Sequence, residues 1–161
     1  MDLKTLLADY NNTAHAEAVV TLLDAYANDP LGGGEPLPVF AKDNLISALK
    51  EVPNAFSVLC YAEDKPVGLA NCFQGFSTFA CRPLINIHDL MVLPEARRNG
   101  ASQALLMFVE QIARERRCCK VTLEVLDGND KARNAYEKYG FKDYALGDEY
   151  GSGRLMQKSL L

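Results

Sequence analysis

The sequence predicts a single α/β domain, 1–161, with a mixed, mostly antiparallel sheet flanked by about four helices. Three observations carry this expectation. Apolar runs of strand length (56–62, 67–76 and 84–93) follow one another across short polar segments, as in an antiparallel meander. From 84 to 139 the pattern switches to strand, turn, helix, strand, helix, which calls for a parallel neighbour. The 161 residues support one sizeable core and are too few for two comfortable ones.

The elements follow in order. Leu3–Tyr10 reads as a first strand. Ala16, Val19, Val20, Leu23, Tyr26 and Ala27 recur at helical spacing, and Asn28-Asp29-Pro30 ends that helix. Leu31–Pro38 is a loop on composition, and its Gly32–Gly34 run reads as a flexible linker. A short helix around Leu45, Ile46 and Leu49 stops before Pro53. Strands Phe56–Ala62 and Val67–Phe76 flank the turn Glu63–Pro66, and Phe76–Pro83 leads into the strand Leu84–Leu93. The helix Ser102–Arg116 presents a wide apolar stripe through Leu105, Leu106, Val109, Ile112 and Ala113, so it should pack on a sheet. Val121–Leu126 is the next strand. Asn129 is a natural N-cap for a helix over Asp130–Tyr139, and Gly140 suits its C′ position. Strands at Phe141–Leu146 and Arg154–Leu160 complete the expected fold.

Bulk composition narrows the partners. The net charge is −4, so the molecule is not built to attract nucleic acid. Residues 94–120 nevertheless carry six Lys/Arg against three Asp/Glu, a local basic segment suited to a small polyanion. The five cysteines (Cys60, Cys72, Cys81, Cys118, Cys119) contain no C-x-x-C pair, and His15 and His88 are the sole histidines, so no metal site is expected. No basic-then-apolar leader and no run of 18 apolar residues occurs. The expectation is therefore a cytoplasmic, reduced protein with no membrane partner.

The chemistry begins at Pro94-Glu-Ala-Arg-Arg-Asn-Gly-Ala-Ser-Gln103, between an apolar strand and an amphipathic helix. The first N–H groups of a helix lack internal partners and point along the positive end of its dipole. Gly100 lets a ligand approach the main chain, and Arg97 and Arg98 add fixed charge. That is a phosphate cradle. Neither G-x-x-x-x-G-K-[ST] nor G-x-G-x-x-G is present.

Arg97-x-x-Gly100-x-Ser102, followed by Asn129-x-x-Ala132-x-x-x-Tyr136-x-x-x-Gly140-Phe141, resembles the GCN5-related N-acetyltransferase (GNAT) family. The first run is similar to its acetyl-CoA signature and the second to its downstream motif. The resemblance spans nearly the whole chain and implies acetyl-CoA as co-substrate. Main-chain groups of Leu90, Met91 and Val92 would then pair with the pantetheine arm like an added strand. Those of Arg98, Asn99, Gly100, Ala101, Ser102 and Gln103 would hold the pyrophosphate beside Arg97, with Asn129, Lys131 and Ala132 bordering the rest. Two positions depart from the pattern: Arg98 stands where glycine is usual, and Ser102 replaces Gly or Ala.

The same resemblance places Tyr136 near the cofactor sulfur, where a phenol can protonate a departing thiolate. An alkylamine with a pKa of about 10.4 is protonated at neutral pH, so a base must accept its proton. His88 is the candidate base, because an imidazole titrates near neutrality. Simple alternation puts His88 on one face with Asn86 and Leu90, and Asp89 on the other with Ile87 and Met91. Asp89 and Glu124 are candidate ammonium contacts, and Glu35 is a further one.

The segment Phe76-Ser-Thr-Phe-x-x-Arg-Pro-Leu-Ile-x-Ile-His-Asp-Leu-x-Val92 is similar to that of diamine and thialysine acetyltransferases. In that subgroup a Glu precedes the Asp and helps handle the amine; here His88 takes its place. The swap removes a negative charge, which points away from a polycationic acceptor while leaving amine acetylation intact. The expected activity is transfer of acetyl from acetyl-CoA to a primary amine of a small molecule by direct attack, in a homodimer. The alternatives are a protein N-terminal or lysine acetyltransferase, and a non-catalytic CoA-binding regulatory module.

Overall fold

The computed structural model describes residues 2–160. It resolves into two compact units, Met1–Glu124 and Val125–Leu161.

The first unit is built on a five-stranded sheet in sequence order: β1 (Leu3–Leu7), β2 (Ala55–Ala62), β3 (Lys65–Ser77), β4 (Arg82–Val92) and β5 (Val121–Leu123). The first four strands run antiparallel, and β5 lies parallel to β4. Helices α1 (Thr13–Asn28) and α2 (Val39–Glu51) precede the meander, and α3 (Ala101–Glu115) connects β4 to β5. That crossover lets a parallel strand join a meander. The Asn12 side chain caps α1 by accepting from the His15 N–H.

Each face of the sheet has its own cover. Leu59, Leu69 and Met91 pack with Ala18, Val19 and Leu22 of α1. On the other face the α3 stripe of Leu105, Leu106, Val109, Ile112 and Ala113 is buried, as its spacing predicts. Gly68 faces that helix closely: a Cβ there would stand 3.0 Å from Leu105 Cδ1. Because directly paired residues share a face, Cys60, Gly68 and Val92 lie under α3, and so do Phe56, Cys72 and Ile87.

The Gly-rich loop is not a slack linker. The Gly32 and Gly34 N–H groups both donate to the Asp29 carbonyl, and the Glu35 N–H donates to Ala27 O. A Cβ on Gly32 would fall 1.9 Å from Tyr26 O, so only glycine permits this close return against the end of α1.

The second unit holds α4 (Asp130–Tyr139). Its caps are those predicted. Asn129 Oδ1 accepts from the Ala132 N–H at 3.3 Å, and Gly140 closes the helix at φ 109° with its N–H shared between Glu137 O and Tyr136 O. The two closing strands expected at 141–146 and 154–160 do not form. Among the described residues they are replaced by one isolated bridge, Ala145 to Ser152. Gly147 and Gly151 both take positive φ there and turn the chain, and lone strands without a ladder partner are not stable. The strand expected to run through Tyr10 ends at Leu7, and the one expected to reach Leu126 ends at Leu123.

Candidate active site

β4 does not alternate regularly. Asn71 pairs with Asp89 and the next residue, Cys72, pairs with Ile87, so His88 is an extra residue bulged out of the ladder. This corrects the expected faces. Ile87 lies under α3 with Cys72, whereas Asp89 turns to the α1 face with Asn71 and Met91. His88 is exposed and meets the Phe73 ring edge-on at 5.7 Å. Phe73 is two residues on from Asn71, so the bulge brings His88 and Asp89 to the same face.

The bulge also marks where the sheet opens. β5 accompanies β4 over Ile85–Ile87 and no further, while β4 continues to Val92. Along Leu90–Val92 the edge of β4 away from β3 has no strand partner among the described residues. Such an edge offers main-chain donors and acceptors to an extended ligand. Glu124 follows β5 directly and is exposed.

A 3₁₀ turn, Pro94–Ala96, carries the chain from β4 into the cradle. Arg98 (φ 65°) and Gly100 (φ 88°) both adopt left-handed backbone, which folds residues 97–100 back to launch α3. Gly100 is the N-cap and no side chain caps α3, so the first-turn amides of Ala101, Ser102 and Gln103 have no capping side chain, the condition under which a helix start can take an anion. Arg98, Asn99 and Gln103 are exposed around this end. Arg97 has a different job from the one its charge suggested. Its Nε donates to Val92 O at 3.0 Å and its Nη2 to Asp29 Oδ2 at 2.9 Å. It ties the cradle to the end of β4 and to Asp29 at the end of α1. The Leu31 N–H and the Arg97 guanidinium hold the Asp29 carboxyl below the usual carboxylate range.

Three residues that sequence reasoning passed over lie behind Asp89. Ser57 and Asn71 are buried polar side chains in strands of apolar neighbours. Ser57 Oγ donates to Asn71 Oδ1 at 2.6 Å, Asn71 Nδ2 donates to Asp89 Oδ2 at 3.0 Å, and Tyr10 Oη lies 2.8 Å from Ser57 Oγ. The available signal was a lone polar residue inside each apolar run, Phe56-Ser57-Val58 and Ala70-Asn71-Cys72. Tyr26 of α1 faces the same carboxylate: burial pushes its phenol up, and Asp89 and Asp29 add to that.

The remaining predicted residues lie on other elements. Glu35 is exposed in the Gly-rich loop. In the second unit, Lys131 is exposed in the first turn of α4, Ala132 donates to the Asn129 cap, and Tyr136 is half-buried with its ring 6.0 Å from Phe141. An open groove of about 530 Å³ at the sheet end opposite the cradle is lined by Leu7, Tyr10, Lys50, Phe56 and Arg116, among others. None of the sequence-predicted site residues lines it. Among the described residues, no group of three His, Cys, Asp or Glu is placed to hold a metal ion, and no helix is long and apolar enough to cross a membrane.

An unpaired strand edge that leads through a tight turn to an uncapped helix N-terminus, in an α/β protein, is an arrangement suited to an extended ligand with an anionic group. The particular family follows from comparison. The profile of the acetyltransferase (GNAT) family matches residues 17–141, and the chain belongs to that family. It is 30% identical over 92 residues to the uncharacterized N-acetyltransferase YhfO of Bacillus subtilis, covering 56% of this chain and 62% of that protein. It is 31% identical over 77 residues to thialysine N-epsilon-acetyltransferase of Bos taurus, covering 48% of this chain and 45% of the relative. The chain thus spans about half the length of the curated relatives it matches. The fold is similar to that of an aminoglycoside acetyltransferase from an uncultured soil metagenomic sample, solved in complex with sisomicin. That match has a TM-score of 0.76 at 18% identity and covers 99% of this chain and 96% of that one.

Proposed function

We propose that this protein transfers the acetyl group of acetyl-CoA to a primary amine of a small, diamine- or amino-acid-like molecule, by direct attack in a ternary complex. The observation that carries the reading is the end of β4–β5 pairing at Ile87, directly before the bulged His88 and Asp89. The similarity to a thialysine acetyltransferase supports the acceptor class. The family profile runs from 17 to 141, across the boundary of the two compact units, which supports treating 1–161 as one domain.

The residues fit the co-substrate. Leu90, Met91 and Val92 offer a strand edge for pantetheine amides, and Arg98–Gln103 offer uncapped amides and positive charge for a pyrophosphate. Asn129, Lys131 and Ala132 carry over from the family motif as further contacts. Acetyl-CoA supplies an activated acetyl thioester, whose carbonyl carbon an uncharged amine attacks with loss of the thiolate. Asp89 keeps one oxygen on Asn71 and turns the other to the acceptor's ammonium, with Glu124 and Glu35 as outer carboxylates. His88 accepts the ammonium proton on its imidazole. Tyr136 gives its phenolic proton to the departing sulfur. A thiol intermediate is not needed: burial pushes Cys72 up to about 12 and raises Cys60 and Cys118. The reading includes a homodimer in a reducing, cytoplasmic setting. Five free cysteines suit the reducing setting, and the homodimer carries over from the resembled subgroup.

The test measures CoA thiol release from acetyl-CoA against 1,3-diaminopropane, lysine and thialysine, with acceptor peptides alongside. Turnover of the small amines is expected. Tyr136→Phe should lower kcat by roughly 10²-fold while acetyl-CoA still binds. Tight acetyl-CoA binding without turnover of any amine would overturn the reading, and turnover confined to peptides would move it to a protein acetyltransferase.

A further inference from the structure

The hydrogen bonds behind Asp89 all run one way. Ser57 has one hydroxyl proton and donates it to Asn71 Oδ1 at 2.6 Å, so the 2.8 Å contact with Tyr10 has the phenol as donor. A carboxylate only accepts, which fixes the Asn71 amide with Nδ2 toward Asp89 Oδ2, 3.0 Å away. Burial pushes the Tyr10 phenol up, so it remains a protonated donor. The path crosses β2, β3 and β4 at directly paired positions, Ser57 with Asn71 and Asn71 with Asp89.

An apolar trio at these positions would pack without any desolvation cost. The chain instead carries polar groups through the interior with every buried side-chain atom satisfied among the described residues. All three links end on one carboxylate oxygen. A proton wire is excluded by chemistry, because passing a proton through Asn71 would require its amide to ionise. What an oriented row of dipoles does accomplish is to hold a charged group in one place and one rotamer.

We infer that Tyr10, Ser57 and Asn71 are positioning residues that fix the Asp89 carboxylate, Oδ2 inward and Oδ1 outward, to receive the acceptor's ammonium. The inference rests on the reading of Asp89 as the ammonium contact. It adds three residues, two of them buried, that set affinity for the amine without touching it.

Steady-state assays with acetyl-CoA and either 1,3-diaminopropane or thialysine test it. Asn71→Leu is expected to raise the KM for the amine about tenfold, with the KM for acetyl-CoA within about twofold of the parent. Ser57→Ala and Tyr10→Phe should give successively smaller rises, and Ser57→Thr, which keeps the hydroxyl, should match the parent. In an Asp89→Asn background Asn71→Leu should add no further rise, a coupling that a purely structural role would not produce. Should Asn71→Leu fail to fold, the Ser57 and Tyr10 variants and their coupling to Asp89→Asn carry the same test. If Asp89→Asn raises the amine KM while the other variants leave it unchanged, the positioning role is overturned and the reading of Asp89 stands. If Asp89→Asn leaves the amine KM unchanged, or neither probe is turned over, both fall.

Discussion

From Ile85 to Ile87 β4 is hydrogen-bonded along both edges, to β3 and to β5, whereas among the described residues β3 is its only strand partner from Asp89 to Val92. The lower half alternates regularly, with Ile85 and Ile87 buried beneath α3. The upper half begins with a bulge, exposes His88, and turns a carboxylate toward α1. One strand therefore does two jobs. Its lower half is a fully satisfied core element, and its upper half is an edge kept open beside a charged pair. The difference teaches that the candidate chemistry sits where sheet pairing stops.

Removing the bulge is the sharpest way to break this contrast. With His88 deleted, Ile87 and Asp89 become neighbours and still face Cys72 and Asn71, so every β3 pairing survives in a regular ladder. The protein should fold. The amine acetylation proposed for it should fall by about 10²-fold or more, because the candidate base is gone and the break in the strand with it. Circular dichroism and thiol-release rates measure the two separately. An active deletion variant would dissolve the distinction between the halves.

The lower half is tested by stability. Ile85 is fully buried and sits between β3 and β5. Ile85→Ala should cost about 2–5 kcal/mol in unfolding free energy, read by denaturant titration, through lost burial and the cavity left behind. Turnover per folded molecule should hardly change. A specific loss of kcat with stability intact would mean that the lower half also shapes the reaction.

The two halves were not equally legible in the sequence. Local signals gave β4, the α3 stripe, and the Asn129 and Gly140 caps, because each depends on residues a few positions apart. The bulge at His88 is set by Asn71 and Cys72 on the neighbouring strand, which a period of two cannot see. Ser57 and Asn71 become one network only through the β2–β3 register, 14 residues apart in the chain. Gly32 looked like slack and proved to be a close approach, since its contact is with a carbonyl six residues back. Arg97 gave a correct charge and an incomplete role, because its partner Asp29 is distant in sequence. The pair is exposed and contributes about 0–1 kcal/mol, so its effect is geometric.

Arg98 marks where the open half of β4 passes into the cradle, and it gives the smallest effect. A non-glycine residue at φ 65° carries a left-handed penalty of about 1–2 kcal/mol that glycine escapes, although glycine loses more backbone entropy on folding. Arg98→Gly, which restores the residue usual in the resembled signature, should therefore raise stability by about 0.5–1 kcal/mol, or roughly 2–3 °C in Tm. The same change removes a cation beside the uncapped amides, so the Kd for CoA should rise about two- to fivefold at low salt and converge with the parent at high salt. Stability and affinity should move in opposite directions. If both fall, the left-handed turn is relaxed by contacts of the arginine side chain, and Arg98 belongs to the architecture of the cradle and not to its charge.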